Sequence, residues 1–117
     1  YQIQTLHVEA GNDIKQKAML KVLNNGQVLV STMEGNGPVD AIFKAVDEIV
    51  KKDSLGIELL DYIVHAVTQG TDALGEVTVR IKKDKRIFTG HGANTDVLVA
   101  SAEAYLNAIN KFLNTVC

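Results

Sequence analysis

Along this chain the spacing of apolar residues switches from a period of two to a period near 3.6, and it does so twice. Tyr1 to Glu9 alternates, with Ile3, Thr5 and His7 on one face and Gln4, Leu6 and Val8 on the other, and this predicts a strand. Ala10-Gly11-Asn12-Asp13 predicts a turn. Lys17 to Leu23 is extended again, with Met19, Leu20, Val22 and Leu23 as its apolar members. Asn24-Asn25-Gly26 predicts a hairpin turn, because Asn and Gly accept positive φ. A third strand follows over Gln27 to Met33. From Pro38 onward, Val39, Ile42, Phe43, Val46, Ile49 and Val50 recur at helical spacing. They predict a helix to about Lys52, with Lys51 and Lys52 at the negative end of its dipole. Asp53-Ser54 and Gly56 form the connection.

The second half runs the same way. Ile57 to Thr68 is long, apolar and β-branched, and predicts a strand over most of its length. Gln69-Gly70-Thr71-Asp72 predicts a turn. Val77, Val79 and Ile81 alternate against Thr78, Arg80 and Lys82, so Gly75 to Ile81 predicts a strand. Lys83-Asp84 is a turn, and Arg86 to Thr89 a short strand that stops at Gly90-His91-Gly92. A second helix starts near Thr95 or Asp96, either of which can cap it. Its expected inward face is Val97, Leu98, Ser101, Tyr105, Ala108, Ile109 and Phe112. Ala100, Ala102, Ala104 and Ala108 keep it slender.

Each half therefore reads strand, strand, strand, Gly-X-Gly, helix, with Gly35 and Gly90 offset by 55 residues. This predicts an internal duplication and an α+β fold. It comprises two pseudo-twofold-related βββα units with antiparallel sheets, over about 1–54 and 55–117 of a single domain.

The junction Glu34-Gly35-Asn36-Gly37-Pro38-Val39-Asp40-Ala41 is the densest stretch. Its glycines allow positive φ and close approach. Pro38 falls where the first helical residue belongs. Backbone N–H groups at such a helix start favour an anion, although a plain tight turn has the same spelling. A dinucleotide fingerprint, with Gly35, Gly37 and a later Asp61, fails on two counts. Asp40 stands at the third glycine position, and the preceding strands form a hairpin rather than a parallel crossover.

With 117 residues the chain can hold one domain with a real core. A net charge of -2 gives no sign of a nucleic-acid surface. No apolar run is long enough to span a bilayer and no signal-peptide pattern is present, so the expected location is cytoplasmic. One cysteine, Cys117, excludes an internal disulfide. The start at Tyr1, without Met, is what a domain cut from a longer protein would show. No nucleophile sits in a recognisable turn. His7, His65 and His91 are far apart, with no carboxylate at metal-ligand spacing. His7 and His65 lie in strands and read as structural, whereas His91, between two glycines, is a candidate ligand contact. Asp40, Asp61, Asp72 and Asp96 fall at element edges, where capping and turns account for them. No catalytic or metal-binding residue is assigned.

Four ordered motifs carry a resemblance over nearly the whole chain. They are Gly35-Asn36-Gly37-Pro38-Val39-Asp40-Ala41, Leu60-Asp61-Tyr62, Gly70-Thr71-Asp72-Ala73-Leu74-Gly75, and Gly90-His91-Gly92 with Thr95-Asp96 and Ala100 to Asn110. Together they resemble the C-terminal regulatory domain of 2-isopropylmalate synthase, with citramalate synthase as the close relative. The resemblance implies a homodimer that binds the pathway's end-product amino acid, leucine or, in the relative, isoleucine. It implies no cofactor in this domain. It also implies a catalytic TIM barrel elsewhere in the same chain, holding a divalent metal and condensing acetyl-CoA with a 2-oxo acid. Carried over residue by residue, Gly35, Asn36, Gly37, Pro38 and Val39 would hold the charged end of the effector. Leu59, Tyr62 and Ala66 would line its side-chain pocket, Ala73 and Gly75 would leave room, and Ala93 would contact it from the other half. Asp40 would pair with the ammonium or face solvent. Leucine is favoured over isoleucine because Ala66 and Ala73 imply an open pocket. A stand-alone amino-acid sensor and a pure dimerisation module are the other classes. The first would lack the barrel, and the second would need no Gly-Asn-Gly turn.

Overall fold

The computed structural model describes residues 1–9, 16–51, 56–66 and 74–116. They form two compact units, Tyr1–Lys52 and Asp53–Cys117. Unit 1 holds β1 (Gln2–Glu9), β2 (Gln16–Asn24), β3 (Gln27–Gly35) and α1 (Pro38–Val50). Unit 2 holds β4 (Glu58–Ala66), β5 (Gly75–Lys83), β6 (Arg86–Asn94) and α2 (Val97–Val116). Each sheet is three-stranded and antiparallel in sequence order, and each is followed by one helix, so the α+β fold with two βββα units is as predicted. The predicted turns at 10–13, 53–54 and 69–72 lie outside the described residues, as do Lys52, Ala73 and Cys117.

In unit 1 the β2–β3 hairpin closes through Asn25 (φ 52°) and Gly26 (φ 80°), the paired positive φ values that match strand twist in a two-residue loop. Ala18, Leu20 and Val22 line the buried face of β2 and meet the buried Ala41, Ile42, Phe43, Ala45, Val46 and Val50 of α1. Complete burial of an aliphatic side chain such as Leu20 or Ile42 stabilises by about 1.5–3 kcal/mol. The helix ends at Val50, earlier than predicted. Lys51 follows it and pairs with Glu48 at 3.0 Å.

The alternation predicted for the first strand is broken. Pairing slips between Ile3 and Thr5, so Ile3, Leu6 and Val8 stand opposite the buried Val22, Leu20 and Ala18. Ile3 thus shares a face with Leu6, not with Thr5 and His7, because the bulge at Gln4 inserts one unpaired residue. The same slip occurs in β4 between Leu59 and Asp61.

In unit 2 the core is Val77, Val79 and Ile81 of β5 against α2. Here the structure corrects the sequence reading most sharply. Gly90-His91-Gly92 is not a turn before the helix; it lies inside β6, which runs to Asn94. A Cβ on Gly90 would run into the carbonyl oxygen of Ala104 and the backbone of Ala108. One on Gly92 would run into the carbonyl oxygen of Ala100 and the amide of Ala104. The two glycines and the three alanines at four-residue spacing let helix backbone and strand backbone touch. The bulkier Tyr105, Ile109 and Phe112 are buried beside this seam, with Phe112 edge-on to Phe88 at 5.6 Å between ring centroids. The buried set on α2 also includes Ala102 and Leu106, wider than the single face expected.

The repeat is consequently in a different register from the one the glycines imply. β3 and β6 begin at Gln27 and Arg86, and α1 and α2 at Pro38 and Val97, a shift of 59 residues. Gly35 and Gly37 correspond to Asn94 and Asp96, and Gly90 corresponds to Ser31. The free edge of β6 is closed by α2 side chains: the His91 amide donates to Asn107 Oδ1 (3.0 Å), and Lys111 Nζ donates to the Thr89 carbonyl (2.7 Å).

Candidate functional site

The two helix starts differ in a way that follows from their residues. At α2, Asp96 is the cap: its Oδ1 accepts from the Leu98 amide at 2.9 Å, and its own amide donates to Asn94 Oδ1 at 2.9 Å. At α1 the capping position is Gly37, which has no side chain, and the helix has no side-chain cap. Pro38 occupies the first turn, as predicted. The first-turn amide of Val39 is therefore without the side-chain acceptor that its counterpart Leu98 has in α2.

Neither glycine of this junction has positive φ, which corrects the expectation from sequence. Gly37 is extended (φ -172°, ψ 169°), a conformation any residue adopts, and nothing lies within 4 Å of where its Cβ would be. Gly35 is the demanding position. A Cβ there would sit 2.5 Å from the Ala41 nitrogen and 2.6 Å from Asp40 Oδ2.

The space left by Gly35 is used by Asp40. Its Oδ2 accepts from the Asn36 amide at 2.9 Å and pairs with Lys44 Nζ at 3.1 Å, one turn along the helix. Asp40 thus closes the turn onto the helix. The Asn36 amide, and after it Lys44, hold its carboxyl below the ordinary aspartate value of 3.8. A depressed folded-state value means that the contribution of Asp40 is present above the unfolded value and is lost as pH falls through the folded one. Thermal melting of wild type and Asp40→Ala should therefore differ by a constant amount near neutrality. The difference should shrink only below pH ~4.

The remaining candidate residues belong to unit 2. Leu59, before the bulge in β4, is 42% exposed. Tyr62 is half-buried and pairs with Val79, on the helix-facing side of the sheet. Its hydroxyl lies 2.7 Å from Ser101 Oγ, and Ser101 donates to the Val97 carbonyl at 2.7 Å. Ala66, the last residue of β4, pairs with Gly75. A Cβ on Gly75 would meet Val97 Cγ2 at 2.6 Å, so Gly75 makes room for the first turn of α2.

Ala93 lies on the other face of this sheet, paired with Glu76 and exposed. It helps line a surface cavity of about 250 Å³ with Glu76, Val77, Thr78, His91 and Gly92. Thr78 Oγ1 and His91 Nδ1 are 3.3 Å apart at its wall. Tyr62 and Ala93 are thus separated by the thickness of the sheet. His7 and His65 are exposed on strands rather than packed in the core. Asp61, expected at an element edge, lies within β4 and pairs with Arg80 Nη1 at 3.0 Å. Among the described residues no group of three His, Cys, Asp or Glu side chains is placed to hold a metal ion. Among the described residues no helix is long and apolar enough to cross a membrane.

Sequence reasoning placed Ser101 on the inward helix face and missed its bond to Tyr62. The available signal was a hydroxyl residue amid alanines, four residues into an otherwise apolar face.

The chain is similar in sequence to known proteins. The chain is 50% identical over 107 residues, 92% of its length, to the 2-isopropylmalate synthase of Methylorubrum populi. It is 45% identical over 116 residues, 98% of its length, to that of Halothermothrix orenii, and 50% identical over 105 residues, 90% of its length, to that of Aromatoleum aromaticum. It spans only 20–22% of the length of these relatives. The sequence profile of the LeuA allosteric (dimerisation) domain matches residues 1–113. With the duplicated βββα architecture and a match over almost every residue, the chain belongs to the LeuA allosteric (dimerisation) domain family.

Proposed function

We propose that this domain binds leucine and thereby confers end-product inhibition on a 2-isopropylmalate synthase of which it is the regulatory part. The observation that carries the reading is the unequal treatment of the two helix starts in a duplicated fold. α2 is capped by Asp96, whereas α1 begins at Gly37, uncapped and with open space beside it. An uncapped helix start favours a carboxylate through its free amides and its dipole. Membership of a family described as allosteric points the same way. In this reading the amides of Val39 and Asp40 receive the carboxylate, with Gly35, Asn36 and Pro38 shaping the turn. Asn36 or strand-end carbonyls accept from the ammonium, since Asp40 is already engaged with Lys44. The side-chain contacts that the resemblance implies are then Leu59, Tyr62, Ala66 and Gly75; Ala93 lies on the opposite face of that sheet from Tyr62 and is left out of the set. The domain acts as a homodimer, joined in the parent chain to a catalytic barrel.

Calorimetry and melting curves with leucine, isoleucine and valine at matched concentrations test the ligand, because binding to the native state raises its melting temperature. Leucine should give the largest shift. A larger shift with isoleucine replaces the leucine assignment with that of a citramalate synthase, and no shift with any of them removes the effector role. Sedimentation at micromolar concentration should show twice the mass of one chain, and a persistent monomer would count against the dimer.

A further inference from the structure

We propose that Ser101 is a positioning residue of the effector site, fixing the ring of Tyr62 through a directed pair of hydrogen bonds. The proposal rests on the effector role of Tyr62 given above. Ser101 is completely buried, and its single hydroxyl proton is committed to the Val97 carbonyl at 2.7 Å. The 2.7 Å contact between Tyr62 Oη and Ser101 Oγ therefore has one polarity: the phenol donates and the serine accepts. The relay runs from a strand-borne ring into the first turn of α2, where Val97 also fills the space that Gly75 leaves open.

The duplication supplies an internal comparison. By the register of the two units, Tyr62 corresponds to Leu6, which pairs with Leu20 as Tyr62 pairs with Val79. Ser101 corresponds to Ile42, fully buried on α1. Unit 1 thus fills these two positions with apolar side chains, which pack without a directed bond. Unit 2 places a hydroxyl pair in the same positions, and a buried polar pair is directional where an apolar pair is not. α2 lies over β5 and β6, and the relay to Ser101 ties the ring on the outlying β4 to that helix. Fixing that ring in advance removes part of the ordering that a ligand would otherwise have to impose.

The test is a double-mutant cycle on the domain, with leucine affinity from calorimetry and ¹⁹F spectra of fluorotyrosine-labelled protein. The chain has three tyrosines, and Tyr62→Phe identifies the resonance of interest. Ser101→Ala should weaken leucine binding between about three- and tenfold, the range of one ordinary hydrogen bond. It should also shift or broaden the Tyr62 resonance without ligand present. In a Tyr62→Phe background the same substitution should cost nothing further, because the residue acts through the phenol. An equal loss in that background, or a Tyr62 resonance unmoved by Ser101→Ala, overturns the positioning role. A wild-type domain that binds none of the three amino acids overturns the effector reading instead, and the spectrum still reports whether Ser101 orients the ring.

Discussion

Gly90→Ala should be among the most destabilising single-methyl changes available in this domain. The new Cβ would meet the carbonyl oxygen of Ala104 and the backbone of Ala108. Those are main-chain atoms of a continuous helix, so no rotamer change relieves the overlap. α2 must lift from β6, and it carries with it the packing of Tyr105, Ile109 and Phe112. Overpacking of this kind costs about 3 kcal/mol. For a domain of this size that lowers the melting temperature by roughly 10 °C. Position 31 is the control, since it is the register equivalent in unit 1. Ser31 is 6% exposed, tolerates its own Cβ, and its hydroxyl has no partner among the described residues. Ser31→Ala removes a buried unsatisfied group, so it should be neutral or slightly stabilising, within about 1 kcal/mol. Circular dichroism melts of the two variants decide the matter. A Gly90→Ala protein that melts like wild type would mean that α2 does not sit on β6 this closely.

That contrast also shows where the sequence was legible. The two βββα units follow from period changes, from Asn25-Gly26 and from Pro38, all of which act within a few residues. Gly90 and Gly92 did not, because what they accommodate is a helix that starts at Val97. Read locally, two glycines mean a turn; read with Ala100, Ala104 and Ala108, they mean a close strand–helix seam. The bulges at Gln4 and Leu60 escaped for a related reason. They are set by pairing with β2 and β5, and alternation within one strand carries no trace of the partner's register. At the candidate site, the junction was found by its glycines, but their division of labour was not. Gly35 makes room for the Asp40 carboxylate and the Ala41 backbone, whereas Gly37 has neither positive φ nor a close neighbour. The direction of the Tyr62–Ser101 bond needed coordinates, since those residues are 39 positions apart.

The openness around Gly37 leads to the other large effect. Gly37→Ser and Gly37→Asp should leave the fold as stable as before, or more so, while weakening leucine binding. The extended backbone at φ -172° suits either residue, and no atom lies within 4 Å of the added Cβ. A side-chain oxygen there can accept from the amides of Val39 or Asp40, as Asp96 does from Leu98 in α2. Relative to glycine such a cap gains only a few tenths of a kcal/mol. For the ligand the same bond is a loss, because those amides are the proposed seat of its carboxylate. Serine removes a donor, whereas aspartate also places a like charge beside the ligand. A charge-assisted hydrogen bond contributes about 1.5–3 kcal/mol, so the aspartate variant should bind leucine roughly ten- to a hundredfold more weakly, with serine in between. The opposed signs matter, since a variant that merely misfolds loses stability and affinity together. Gly35→Ala should behave in that second way, because its Cβ falls 2.5 Å from the Ala41 nitrogen. Melting curves without ligand and calorimetry with leucine, run on all three variants, separate the cases. Wild-type affinity in Gly37→Asp would place the effector's carboxylate away from α1.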